Sequence, residues 1–193
     1  MLAIAFFLSG TGGNALNLLR ACREGRVPAV PVLGVSSSSK ALGNDRLRGE
    51  GLPVQVKLRK EFDSDAAYSE ACLAAVEASG AELICLCGWL KHLLIPERWE
   101  GRILNIHPAL LPKFGGQGMY GMNVHRAVVA AGEQESGCTI HLVDTVYDHG
   151  RILAQAKVPV TPGDPPEDLQ KRVYEQELRL YPEALADFLK SRC

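Results

Sequence analysis

The 193-residue chain predicts an α/β fold: a single-domain, open, mostly parallel twisted sheet with helices on both faces, Rossmann-type in its N-terminal half and with late antiparallel strands. Three observations carry this reading. Short apolar runs alternate with helix-like segments as far as residue 107, the pattern of a sheet built from βα units. Some runs, such as Ile4-Ala5-Phe6-Phe7-Leu8, are apolar at every position, as strands covered on both faces must be. A glycine-rich turn, Ser9-Gly10-Thr11-Gly12-Gly13-Asn14, joins the first run to the first helix, where a doubly wound sheet places its βα connection.

The elements follow in order. Runs at 3–8, 30–35, 54–58, 83–86 and 103–106 read as strands. Between them, 15–23, 40–48 and 66–78 read as helices, with Asp63 and Ser64 as natural caps for the third. After His107 the character changes. Residues 113–121 include four glycines and read as a loop, and a short helix is expected at 124–131. Runs 138–143 and 152–160 look like an antiparallel pair that extends the sheet. Asp164-Pro165-Pro166-Glu167 offers an N-cap, first-turn prolines and a capping-box Glu to a last helix, which Pro182 is expected to kink or split. No linker, repeat or low-complexity segment interrupts the chain, so residues 1–193 are expected to form one domain.

Bulk properties exclude several classes of function. The chain is 47% hydrophobic, as a soluble globular protein is, and its 21 basic and 22 acidic residues leave a formal charge of −1. No Lys/Arg block supplies a nucleic-acid footprint. The apolar N-terminus lacks a basic leader and is too short to span a bilayer, so no membrane association is expected. Cysteines 22, 72, 85, 87, 138 and 193 contain no C-x-x-C pair; Cys85 and Cys87 share a strand face and read as small apolar groups. Thiols of this kind imply a reducing, cytoplasmic setting, and no metal site is expected.

The strongest chemical signal is Asn105-Ile106-His107-Pro108 at the end of the fifth run. Residues i and i+2 of a strand share a face, so the Asn105 amide and the His107 imidazole converge, and Pro108 ends the ladder behind them. A fixed donor beside a titratable one suits a reaction that passes through an oxyanion. A carboxylate partner would tune the imidazole. Asp144 and Asp148 are the candidates; the bland reading of Asp148 is an Asx-turn residue. His125 and His141 read as structural or exposed, and His92 follows Trp89-Leu90-Lys91 beyond the fourth run.

The glycine turn suits an anion at a helix N-terminus. Gly10-x-Gly12-x-x-Ala15 also fits a dinucleotide fingerprint, but Ser36-Ser37-Ser38-Ser39-Lys40 supplies no acidic residue for NAD. An NADP-binding reductase therefore stays as a remote alternative, one that gives Asn105 and His107 no role.

Together, the Asn-x-His-Pro run, the downstream Asp148 with Gly150, the glycine loop and the segment Gln155-Ala156-Lys157-Val158-Pro159-Val160 resemble the folate-dependent formyltransferases over nearly the whole length. The resemblance implies a formyltransferase-like fold and transfer of a formyl group from 10-formyltetrahydrofolate to the amine of phosphoribosylglycinamide, in purine biosynthesis. It implies Asn105, His107 and Asp148 as catalytic residues. Gly12, Gly13, Asn14 and Glu177 would bind the substrate, and Leu90, Lys91, His92, Leu93 and Asn105 the folate. It implies no metal, and a monomer or homodimer acting on small molecules. A formyltetrahydrofolate hydrolase, or transfer to another amine, is the nearer alternative; the hydrolases usually carry an N-terminal regulatory domain, and other transferases a C-terminal one. The chain departs from the family at Asp65, where a basic residue often meets the folate tail, at Tyr174, where a glutamine is common, at His149, often a second glycine, and in its long 114–121 loop.

Overall fold

A computed structural model describes residues 1–192; Cys193 lies outside the described residues. Two compact units divide the chain, residues 1–104 and 105–193.

In the first unit, β1 (Leu2–Leu8) runs parallel between β2 (Ala29–Ser36) and β4 (Leu83–Leu86), and β3 (Val54–Val56) lies parallel on the far side of β2. Helices α1 (Gly13–Arg23), α2 (Leu42–Gly49) and α3 (Asp65–Ala78) connect them, as parallel strands require a crossover. Ile4 to Leu8 are fully buried, which is why this strand carries no polar alternation. Ala15, Leu18 and Leu19 on α1 and Tyr68, Cys72, Leu73 and Val76 on α3 complete this core. The Ser64 hydroxyl caps α3 by accepting from the Ala67 N–H at 3.1 Å, an arrangement worth about 1 kcal/mol. The third strand is shorter than expected: Lys57 still bonds Ser36, after which Arg59–Glu61 turns into a short 3-10 segment.

Strand β5 (Ile103–His107) starts in the first unit and ends in the second. The second unit continues with α4 (Met122–Ala130), the antiparallel pair β6 (Glu135–Leu142) and β7 (Ile152–Pro159), and α5 (Pro166–Lys190), which packs on α4, β6 and β7. Thr139 stands opposite Gln155, and the register shifts between Ile140 and His141. Strand β6 starts three residues earlier than expected, at a position where Gly137 allows close approach: a Cβ there would lie 1.9 Å from the Ala156 carbonyl oxygen.

At α5 the expected N-cap fails, and of the two readings of Pro182 the split fails. Asp164 is not its N-cap; the cap position is Pro165 and carries no side-chain bond. Asp164 instead accepts from the Thr161 N–H and pairs with Arg172, so a tertiary ion pair takes the carboxylate that local pattern assigned to the helix end. Nor does Pro182 split the helix, which runs unbroken to Lys190. Burial of Val173, Tyr181, Leu185 and Leu189 on both sides of the proline holds the rod together, against a cost of about 3 kcal/mol for an interior proline. Among the described residues, no helix is long and apolar enough to cross a membrane.

Candidate active site

Strand β5 brings Asn105 and His107 to one face, as its alternation requires. His107 is 3% exposed, and its Nδ1 stands 3.4 Å from Asp148 Oδ2. Its Nε2–H donates to the Phe114 carbonyl at 2.8 Å. A second histidine completes the cluster. His141 Nδ1 lies 2.9 Å from the Leu142 carbonyl, so that nitrogen carries the hydrogen. Its Nε2 is then free to accept from Asn105 Nδ2 at 3.1 Å, and it lies 3.6 Å from Asp148 Oδ1. His141 thereby fixes which way the Asn105 amide faces and leaves the second amide hydrogen for an incoming oxygen. His141, read from sequence as structural or exposed, is 1% exposed and inside the site.

The electrostatics differ from the expectation that a carboxylate holds the imidazole charged. Burial pulls the His107 pKa below its ordinary value, and it outweighs the opposing pull of Asp148 and of the Phe114 carbonyl; His141 lowers it further. Burial alone would raise the Asp148 carboxyl. The His141 contact, His107 and the Gly116 N–H outweigh it and hold that pKa below the usual value. Around neutral pH the free site is therefore a neutral imidazole beside an ionised carboxylate. His125, on α4, is buried near His107, and its pKa falls to about 4 through loss of solvent and the neighbouring imidazole.

Backbone from the 113–121 segment closes over this cluster. The Gly116 N–H donates to Asp148 Oδ2 at 2.9 Å. Phe114 and Asp148 both adopt left-handed conformations, with φ of 56° and 55°, a sparsely populated choice for residues with side chains. Beneath them Thr139 acts as a hub. Its hydroxyl donates to the Ala109 carbonyl at 2.6 Å and accepts from the Leu111 N–H at 3.1 Å and Gln155 Nε2 at 2.9 Å. That hub pins the segment leaving His107, so β6 and β7 set its course.

In the first unit the glycine turn is built for close approach. Gly12 adopts φ +69° at the start of α1, and a Cβ there would lie 2.7 Å from the Gly43 Cα on α2. Gly13 opens α1 and Asn14 is buried behind it. Ser9 ties this turn to the 90–93 segment: its hydroxyl accepts from the Leu90 N–H at 2.9 Å and sits 2.6 Å from the Ser37 hydroxyl. Leu90 is exposed and Leu93 buried, while Trp89 keeps a buried Nε1–H with no partner. His92 faces the Asp65 carboxylate at 3.6 Å, and Arg59 holds the other oxygen at 2.5 Å. The serines of the NADP alternative are engaged internally: Ser36 donates to the Ser38 carbonyl, and the Ser38 hydroxyl accepts from the Lys40 N–H. In the second unit Glu177 is buried on α5, and burial, with the Glu177 charge adding to it, pushes the Cys138 thiol up to about 12.

The second unit thus assembles Asn105, His107 and Asp148 as the sequence suggested, while Gly12, Gly13, Asn14 and the 90–93 segment adjoin one another in the first. Missing from the sequence reading were His141 and the backbone of Phe114 and Gly116. For His141 the sequence carried no usable signal, because the register shifts between Ile140 and His141 and alternation names a face rather than a partner.

Comparison with known proteins adds the following. The formyl transferase family model matches residues 2–185. The chain is 41% identical to the chloroplastic phosphoribosylglycinamide formyltransferase of Arabidopsis thaliana, over 98% of this chain and 66% of that relative. It is 36% identical to the phosphoribosylglycinamide formyltransferase of Haemophilus influenzae, covering 100% of this chain and 89% of that one. Among solved structures, glycinamide ribonucleotide transformylase 1 from Symbiobacterium toebii superposes with a TM-score of 0.93 at 36% identity, over 100% of this chain and 89% of that one.

Proposed function

The chain belongs to the formyl transferase family, and on that premise we propose that it transfers the formyl group of 10-formyltetrahydrofolate to the amine of phosphoribosylglycinamide, in purine biosynthesis. The observation that carries the reading is the cluster of Asn105, His107, His141 and Asp148, with two donors aimed from one strand face. The names of its relatives support the acceptor. The folate is the formyl donor; Leu90, Lys91, His92 and Leu93 would hold it, beside the orphaned Trp89 donor. Gly12, Gly13, Asn14 and Glu177 would hold the nucleotide.

The residues then act as follows. Asn105 donates its second amide hydrogen to the formyl oxygen as charge develops there. His107 enters neutral and donates through Nε2, the formyl oxygen replacing the Phe114 carbonyl as acceptor. The His107–Asp148 pair takes up, through Nδ1, the proton shed by the attacking amine, with the ionised Asp148 stabilising the resulting cation. The proton then passes to the folate nitrogen as the tetrahedral intermediate collapses, the bond from the formyl carbon to that nitrogen breaks and the folate leaves. His141 acts through Asn105 and Asp148 and holds both in orientation. Proximity of two bound substrates supplies much of the remaining acceleration. The proposal takes the form of a cytoplasmic monomer or homodimer that works on small molecules without a metal.

Absorbance-monitored formyl transfer tests it, with a 10-formyl folate and phosphoribosylglycinamide beside a control lacking the nucleotide. Turnover that depends on the nucleotide is expected. Folate release without the nucleotide would replace this reading with the hydrolase, and inertness in both tubes would overturn the acceptor and donor together.

A further inference from the structure

Asp148 is carried on the connection between β6 and β7, and that connection has its own fastening away from the reacting atoms. The stem closes where the Leu142 N–H donates to the Arg151 carbonyl at 2.9 Å. Gly150 presses so close that a Cβ would lie 1.9 Å from the Leu142 carbonyl oxygen. Inside that stem Asp144 uses both carboxylate oxygens. Oδ1 accepts from the Val146 N–H at 2.8 Å, and Oδ2 faces His149 Nδ1 at 3.2 Å. The His149 N–H adds a longer bond to the Val146 carbonyl at 3.4 Å. Between these anchors the chain must pass through Asp148 at φ +55°, a conformation that persists in a non-glycine residue only when its surroundings over-determine it.

We propose that Asp144 and His149 form a positioning pair that holds the backbone of Asp148 in its left-handed conformation and so aims its carboxylate at His107. The inference rests on the reading of Asp148 as a partner of His107 in formyl transfer. Neither residue touches the reacting atoms. Asp144 closes the near side of the turn and His149 ties the far side back to it, directly after Asp148. Asp144 is the charged group that faces His149, whose side chain is otherwise exposed to solvent. His149 closes the clamp through its Nδ1 contact to Asp144. Contacts this exposed are weak, which limits the share of His149 to a few-fold change, whereas loss of the Asp144 turn costs more.

The experiment reads two quantities on the intact protein: the His107 imidazole titration by NMR, and kcat and KM against pH. Asp148 raises the His107 pKa, so a displaced Asp148 lowers the His107 midpoint, and Asp148→Asn sets the size of that shift. Asp144→Ala is expected to reproduce much of it and to cut kcat at least tenfold. Asp144→Asn, which keeps the acceptor for Val146, is expected to restore most of both. His149→Ala is expected to lose a few-fold of kcat and to move the His107 midpoint part of the way that Asp144→Ala moves it. An unmoved His107 midpoint in folded Asp144→Ala overturns the positioning pair whatever the turnover. An inactive wild type with the midpoint shifted as expected strikes the formyl-transfer reading alone.

Discussion

At His107 the competition between burial and charge decides the chemistry. A 3% exposed imidazole loses more from desolvation than one carboxylate at 3.4 Å restores, so it starts neutral and gains its proton only when a substrate supplies one. In the proposed reaction His107 is both the oxyanion donor and the proton acceptor, and His107→Ala removes both. Its kcat is expected to fall by roughly a thousandfold, within the range that general acid-base groups contribute, while the far-ultraviolet dichroism stays that of the wild type. Turnover within tenfold of wild type in the folded variant would contradict the assignment. Asn105 and His107 were legible as a converging pair because a strand alternates and because polar residues at the end of an apolar run need a reason; Asp148 stood out only through the resemblance, since local pattern alone reads it as a turn residue. His141 was not: alternation reports which face a residue takes, and a buried strand covers both faces. Only the 3.1 Å contact to Asn105 separates a structural histidine from one that sets an amide's direction.

Elements place these residues through their ends. The strand β5 stops at Pro108, Thr139 gathers the outgoing backbone, and the 113–121 segment returns to set the Gly116 N–H on Asp148. Gly115 makes that return possible. A Cβ there would sit 2.6 Å from the Leu111 side chain and 3.1 Å from the Asp148 Cβ, well inside normal contact. Gly115→Ala is therefore expected to push the segment off Asp148, reducing kcat by roughly tenfold or more, as sub-ångström misplacement of a catalytic group does. Steady-state kinetics with a thermal melt checks this: unchanged kcat together with an unchanged melting temperature would mean that the segment relaxes without moving Asp148. Among the described residues, sequence pattern found each strand and α-helix, with ends displaced by up to three residues, and neither 3-10 segment (Arg59–Glu61, Glu97–Trp99), since periodicity reports the middle of an element and tertiary bonds choose its ends. The Asp164 error is of that kind, because Arg172 lies eight residues away and no local rule anticipates it. Backbone donors such as Gly116 carry no residue signature, which leaves a closing segment readable as glycine-rich and no further.

For the whole molecule, near-neutral charge was readable from composition, yet charge balance says nothing of where protons are missing from the folded state. Two buried histidines near each other decide that. His125 falls from its ordinary 6.5 to about 4 on folding, and His107 moves the same way. A histidine with a depressed pKa binds fewer protons folded than unfolded between the two values. Its share of stability is therefore complete above pH 6.5 and is lost as pH falls toward 4. The 2.5-unit difference for His125 (6.5 minus 4) corresponds to about 3 kcal/mol at most. Asp148 lies outside this window, because its depressed carboxyl loses its contribution only below the ordinary carboxylate value. Denaturant unfolding followed by circular dichroism at pH 7.5 and 4.5 is expected to show the wild type markedly weaker in acid. His125→Gln, which cannot titrate, should start less stable at pH 7.5 but lose much less on acidification, the remainder belonging to His107. Equal losses in the two proteins would locate the acid sensitivity elsewhere than the buried His125 ring.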